Sequence, residues 1–255
     1  MRSSISDTHK YKNIIEKALN DNDIFKNFKQ LSDYNEILEH TTKNQAIEYL
    51  KIIKNDNKQL IQGFQKFKDN DVFGNPRKNV FKDIGEVSPS TLRYVKVLSD
   101  IINIFGGFNN KNIVEIGGGY GGQCLIFSKY FSFNSYLLID LKESLDLSKK
   151  YLNLNNIKNV IYKDISKLNE TVEYDLLISN YAFTECNKKI QDIYIKKIIN
   201  NSRNGYITAN FISDIFNIES YNNNELINII NKNILINEEK PKTHNNNLIL
   251  TWIEK

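Results

Sequence analysis

The sequence predicts an α/β fold: a mostly parallel sheet that ends in a C-terminal antiparallel hairpin, preceded by a helical cap. From Asn112 onward, apolar runs of strand length alternate with stretches of helical periodicity. The first of those strands leads into a glycine-rich turn, Gly117-Gly118-Gly119-Tyr120-Gly121-Gly122, and a helix opens directly after it. The last two apolar runs, Ile234–Glu238 and Asn247–Ile253, are joined by a loop too short for a parallel crossover, so they pair antiparallel.

In the N-terminal region, Ile14, Ile15, Ala18 and Leu19, then Ala46, Ile47, Leu50 and Ile53, recur at helical spacing. Val72 to Pro89 gathers Gly74, Pro76, Gly85 and Pro89 and reads as a structured connecting loop. Ser88 before Pro89 is a helix start, with serine as cap and proline at the first position. That helix runs to about Phe105, with Leu92, Val95, Leu98, Ile101 and Ile102 inward. Strands are then expected at Asn112–Ile116, Ser135–Asp140, Asn159–Tyr162, Tyr174–Ser179 and Gly205–Phe211. Helices are expected at Tyr120–Phe131, Glu143–Leu154, Glu185–Asn200 and Asn224–Asn231. Strand–helix alternation of this length implies right-handed crossovers and a parallel sheet. The chain divides into a cap with its connecting loop, residues 1–88, and an α/β ligand-binding domain, residues 89–255.

At 255 residues the chain is long enough for one such domain plus a helical segment. No apolar run approaches the roughly 20 residues that span a bilayer. Met1 to Lys12 is polar and lacks a secretory core, so a cytoplasmic location is expected. Cys124 and Cys186 lie far apart and in no metal-type spacing, so neither a disulfide nor a zinc site is expected. The net charge is +4, and the lysines are scattered instead of forming the stripe that nucleic acid demands. No compact Asp/Glu/His cluster stands out, and no metal is expected. The sequence leaves homo-oligomer formation open.

The glycine turn lets a ligand approach backbone closely, and the helix after it offers free N–H groups and partial positive charge. Gly117-x-Gly119-x-x-Gly122 matches the dinucleotide fingerprint. The same stretch matches an acidic-x-Gly-x-Gly-x-Gly turn through Glu115, Gly117, Gly119 and Gly121, which suits S-adenosylmethionine. Glu115 sits where it orients the turn and attracts an ammonium; beside a pyrophosphate it would be unfavourable. Asp140, ending the second strand, is placed to accept both ribose hydroxyls of either ligand. Asp164, after the third strand, is either an adenine contact or a helix cap before Ile165. The terminal antiparallel pair favours S-adenosylmethionine over NAD(P). An NAD(P)-dependent oxidoreductase, and a nucleotide-binding partner subunit without catalysis, stand as alternatives.

Val114 through Gln123 is similar to the corresponding turn of the sugar O-methyltransferases of bacterial surface-polysaccharide clusters. So are Gly74-Asn75-Pro76, Ser88 through Tyr94, Ile178 through Glu185, Gly205-Tyr206-Ile207-Thr208 and Pro241-Lys242-Thr243-His244. The resemblance covers about Val72 to Trp252 in consistent order, while the first 70 or so residues match only in being helical. It implies a Rossmann-like class I methyltransferase sheet, S-adenosylmethionine as cofactor, and methylation of a sugar hydroxyl on a nucleotide sugar or surface glycan.

Methyl transfer is an in-line displacement that depends on alignment, and a sugar hydroxyl benefits from a general base. Asn180 to Glu185 follows the fourth strand, at the end where ligands bind. Asn180 is expected at the cofactor with Tyr120 of the turn, and Tyr181 at the acceptor. Glu185 is expected as base or sugar contact, against a plain reading as a first-turn acid behind a Thr184 cap. With the resemblance, His244 is the leading base; without it, an exposed loop histidine. Arg93 and Tyr94, one turn into a capped helix, are expected to line the acceptor pocket, Arg93 against a carboxylate or phosphate.

Overall fold

The structure is a computed structural model that describes residues 2–168 and 172–254. Helix α1 (His9–Asn20) starts where the Thr8 side chain accepts the Tyr11 N–H, and α2 (Asn22–Asn27) follows with Asp21 as its cap. A single turn, α3 (Ser32–Asn35), precedes α4 (Lys43–Asp56), which opens with a Thr42–Gln45 capping box, and α5 (Lys58–Gln62). The connecting segment holds a short hairpin that its composition does not announce, β1 (Asn79–Phe81) against β2 (Gly85–Val87).

Helix α6 (Pro89–Phe105) has the expected bounds. Its start is doubly fixed: Ser88 Oγ accepts the Thr91 N–H. Buried Asp71 in turn accepts from Ser88 N–H, Ser88 Oγ and Thr91 Oγ1 at 2.6, 2.7 and 2.7 Å.

The remaining elements alternate as predicted: β3 (Asn112–Ile116), α7 (Gly122–Ser128), β4 (Ser135–Ile139), α8 (Lys142–Leu154), β5 (Val160–Lys163), β6 (Tyr174–Asn180), α9 (Lys188–Lys197), β7 (Ser202–Ala209), α10 (Asn223–Ile229), β8 (Leu235–Glu238) and β9 (Leu248–Ile253). Seven strands form one sheet in the order β5-β4-β3-β6-β7-β9-β8. The first five run parallel, and β9 lies antiparallel between β7 and β8. This is the Rossmann-like class I methyltransferase sheet.

Several boundaries differ from the sequence reading, three of them at starts with a visible cause. Helix α7 starts late because Gly121 is left-handed at φ 92°. Helix α9 starts at Lys188, capped by the Asn187 side chain, so Thr184 and Glu185 belong to the turn before it. Strand β7 begins at Ser202, whose carbonyl accepts the Trp252 indole N–H from β9 at 3.0 Å.

Alternation along the strands divides the core. Ile113, Tyr136, Leu138, Ile178 and Tyr206 pack with α6, α7, α8 and the N-terminal helices in one continuous cluster. Val114, Ile116, Leu137, Ile139, Leu177 and Ile207 pack with α9 and α10 on the other face. Gly205 lets Trp252 lie directly on β7, where a Cβ would come within 2.1 Å of the ring. Among the described residues, no helix is long and apolar enough to cross a membrane.

Candidate active site

The glycine turn and the end of β4 meet at the carboxyl edge of the sheet, where open α/β sheets hold ligands. Gly117, Gly119 and Gly121 all have positive φ, at 78°, 55° and 92°, a conformation that side chains disfavour. Because β3 and β4 are neighbours in register, Asp140 faces this turn. Its Oδ2 accepts the Gly119 N–H at 2.8 Å, and its Oδ1 accepts the Leu141 N–H at 2.7 Å. Burial pushes the Asp140 carboxyl up to about 6, against the pull of those two donors.

The N-terminal helices close over this edge. The Leu38 side chain rests on Gly119, with Cδ1 2.9 Å from where a Cβ there would project. The Tyr11 hydroxyl adjoins Asp140, Ser144 and Tyr34, and the buried Tyr34 Oη and Ser144 Oγ have no geometrically sound partner. Residues Arg2 to Ile5 strap across the turn after β6. Ser4 bridges Cys186, Ile5 N–H donates to Glu185 O, and Asn187 N–H donates to Ser3 O.

Two expected cofactor contacts lie elsewhere. Strand parity puts Glu115 with Ile113 on the face that α6, α7 and α8 cover. There it is 2% exposed and accepts the Tyr136 hydroxyl at 2.8 Å. Burial pushes its carboxyl up to about 8, so it is neutral at pH 7 and does not attract an ammonium in this arrangement. Tyr120 is also buried beneath the turn. Its hydroxyl accepts from Asn70 Nδ2 at 3.1 Å, and its ring carries the Lys29 ammonium at 4.0 Å. Asp164 takes its capping role: it accepts Ser166 N–H at 2.8 Å and Ser166 Oγ at 2.5 Å.

A second cluster forms past the ends of β6 and β7. Tyr181 is left-handed at φ 69°, and its N–H donates to Thr208 O at 2.7 Å. Its hydroxyl donates to Glu239 Oε1. Glu239 is buried, and its Oε2 accepts from Thr243 N–H, Thr243 Oγ1 and Asn247 Nδ2 at 2.9, 2.6 and 3.0 Å. Arg93 stacks over Tyr94 at 5.1 Å, its Nη2 donating to the Tyr94 hydroxyl at 3.4 Å. Arg93 Nε and Asn180 Oδ1 are both buried and unpartnered. Arg93, Asn180, Tyr181 and Glu239, with Tyr49 of α4, line a cavity of about 20 Å³. Sequence reasoning missed Glu239, Tyr49 and Leu38, which come from segments with no motif of their own.

Glu185 lies in the buried turn before α9. Asn210 Nδ2 donates to it at 2.5 Å, and burial raises its carboxyl above the ordinary range. The first-turn, dipole-complementing reading of Glu185 is therefore corrected. Tyr94 lies almost wholly inside, packed against Gly122. His244 is exposed, with Nδ1 accepting the Asn246 N–H at 3.4 Å, although neighbouring Thr243 reaches the Tyr181 hydroxyl at 3.5 Å. Among the described residues, no group of three or more His, Cys, Asp or Glu is placed to hold a metal ion.

No family model and no curated protein matches this chain. Solved structures do match, by fold. The PH0226 protein of Pyrococcus horikoshii superposes with a TM-score of 0.51 at 9% identity, over 64% of this chain and 90% of that one. An S-adenosylmethionine-dependent methyltransferase of Clostridium acetobutylicum superposes at 0.49 with 12% identity, over the same 64% and 90%. A streptococcal structure, SMU.1697c of Streptococcus mutans in complex with SAH, superposes at 0.44 with 15% identity, over 56% and 88%. The chain spans 63% of a Galdieria sulphuraria methyltransferase structure, less than two thirds of its length. At identities of 9% to 16%, the likeness fixes the fold and leaves the reaction to the residues.

Proposed function

We propose that this protein is an S-adenosylmethionine-dependent O-methyltransferase that acts on a sugar hydroxyl. Residues 89–255 hold cofactor and acceptor, and residues 1–88 close over them. The observation that carries the reading is Asp140 at the end of β4, facing the N–H groups of a left-handed glycine turn. The antiparallel β9 next to β7 disfavours the NAD(P) oxidoreductase alternative.

The residues present suit an adenosine. Asp140 offers a carboxylate to the ribose hydroxyls, the unpartnered Ser144 Oγ stands beside it, and the unpartnered Tyr34 Oη lies next to Tyr11. Leu38 draws back from Gly119 to admit the nucleoside. Asp164 is proposed near the adenine amine and Asn180 near the methionine end. Bound there, S-adenosylmethionine supplies an electrophilic methyl group on sulfur. The orphaned donor of Arg93 and acceptor of Asn180 suit a hydroxyl, which both gives and takes a hydrogen bond. Tyr181 and Tyr94 frame that acceptor, Glu185 binds its further hydroxyls, and exposed His244 meets the part that projects outside.

The test is methyl transfer from labelled S-adenosylmethionine to methyl hexosides and nucleoside diphosphate hexoses. Label in one or more sugars is expected. Label only in protein, nucleic acid or amino acids present in the same assay contradicts the sugar reading.

A further inference from the structure

The Tyr181–Glu239 contact is more than a tie between the sheet and the loop after β8. Tyr181 holds a left-handed backbone, which is unfavourable for a non-glycine residue and persists only where the surroundings impose it. Glu239 comes from a segment 58 residues away and accepts four hydrogen bonds, three of which fix Oε2. Oε1 accepts only the phenol, which leaves it a free lone pair. Both side chains border the cavity that Arg93 and Asn180 also line, and Arg93 Nε and Asn180 Oδ1 are buried without partners. At about 20 Å³ that cavity accommodates one water or one hydroxyl. Burial raises the Tyr181 phenol well above its ordinary range, so it stays protonated and takes up a proton only by passing its own on.

We infer that the Tyr181–Glu239 pair takes the proton from an acceptor hydroxyl seated between Arg93 and Asn180. The inference rests on the methyltransferase reading above. As the acceptor oxygen bonds the methyl carbon and the carbon–sulfur bond breaks, its proton passes to the Tyr181 oxygen. The phenol's own proton passes to Glu239 Oε1. The sulfonium charge and the carboxylate charge are lost together, leaving a neutral thioether, a neutral carboxylic acid and an ether. Tyr181 is the group that touches the acceptor, and Glu239 acts through it.

The experiment compares wild type with Glu239→Gln, Glu239→Asp and Tyr181→Phe in the full chain. Calorimetry reads S-adenosylhomocysteine affinity and the affinity of methyl hexosides and nucleoside diphosphate hexoses for that complex. Turnover is followed with the same sugars. Glu239→Gln is expected to keep both affinities within about threefold and to lose at least ~100-fold in kcat with little change in KM. Glu239→Asp is expected to recover part of that loss. Tyr181→Phe, which leaves the Oε2 bonds in place should Glu239→Gln fold poorly, is expected to lose as much, and the double variant no more. Wild-type kcat in either single variant overturns the relay. Wild-type binding of S-adenosylhomocysteine without turnover of any sugar overturns the acceptor class and the relay with it. No binding of S-adenosylhomocysteine overturns the cofactor reading instead.

Discussion

Asp140 and Glu115 sit on adjacent strands, and their surroundings set them different tasks. Asp140 is held by two backbone donors at the sheet edge, whereas Glu115 has one phenol and a buried site. Glu115 is pushed up to about 8 by burial, so the folded chain binds a proton there that the unfolded chain has released. Stability from this group is full below the ordinary glutamate range and is lost as pH rises through about 8. Glu115→Gln is therefore predicted to flatten the decline in stability between pH 5 and 8. The gain near pH 8 is on the order of a few kcal/mol, read from denaturant midpoints at each pH. A decline as steep in the variant as in wild type would assign the pH dependence to other groups.

The position of Asp140 beside the turn was legible because an acid at a strand end next to a glycine turn is a local pattern. Glu115 was legible as a residue and misread as a contact, because strand parity, not spacing from the glycines, decides which way it points. Glu239 was not legible: its partner is 58 residues away, and the two meet only when β9 inserts beside β7.

At the level of elements, the start of α6 and the β7–β9 pair hold in place the side where the acceptor is proposed. Asp71 satisfies three donors at the α6 N-terminus, one turn before Arg93. Asp71→Ala leaves those donors buried and is predicted to cost about 2–4 kcal/mol, seen as a lower urea midpoint at unchanged slope. A loss under 0.5 kcal/mol would show that Ser88 and proline suffice. Gly205→Ala drives a methyl group into the Trp252 ring and is predicted to cost about 1–3 kcal/mol by thermal unfolding. An unchanged Tm would mean that the ring shifts freely. The α6 start was legible from Ser88-Pro89. The β1–β2 hairpin was not, since three-residue strands are too short to show a period, and the start of α9 was misplaced because Thr184 and Asn187 are both competent caps.

For the whole molecule, helices α1 to α5 do not enclose a core of their own. Tyr11, Phe28, Ile53 and Phe64 belong to the same cluster as Tyr120, Tyr136 and Tyr151. One cooperative unfolding transition is therefore predicted for the chain, with near- and far-ultraviolet circular dichroism coinciding. Two separated transitions would mean that the N-terminal helices fold apart from the sheet. The helical character of that segment was legible from its periodicity. Its placement over the glycine turn was not, because nothing in an amphipathic helix names the surface it will cover.

The most direct test of the central claim is a calorimetric titration of wild type and Asp140→Ala with S-adenosylhomocysteine and with NADH. Saturable binding of S-adenosylhomocysteine, weakened about 10- to 100-fold by Asp140→Ala as two charge-assisted hydrogen bonds are lost, is the predicted result. Binding of NADH without binding of S-adenosylhomocysteine would contradict it.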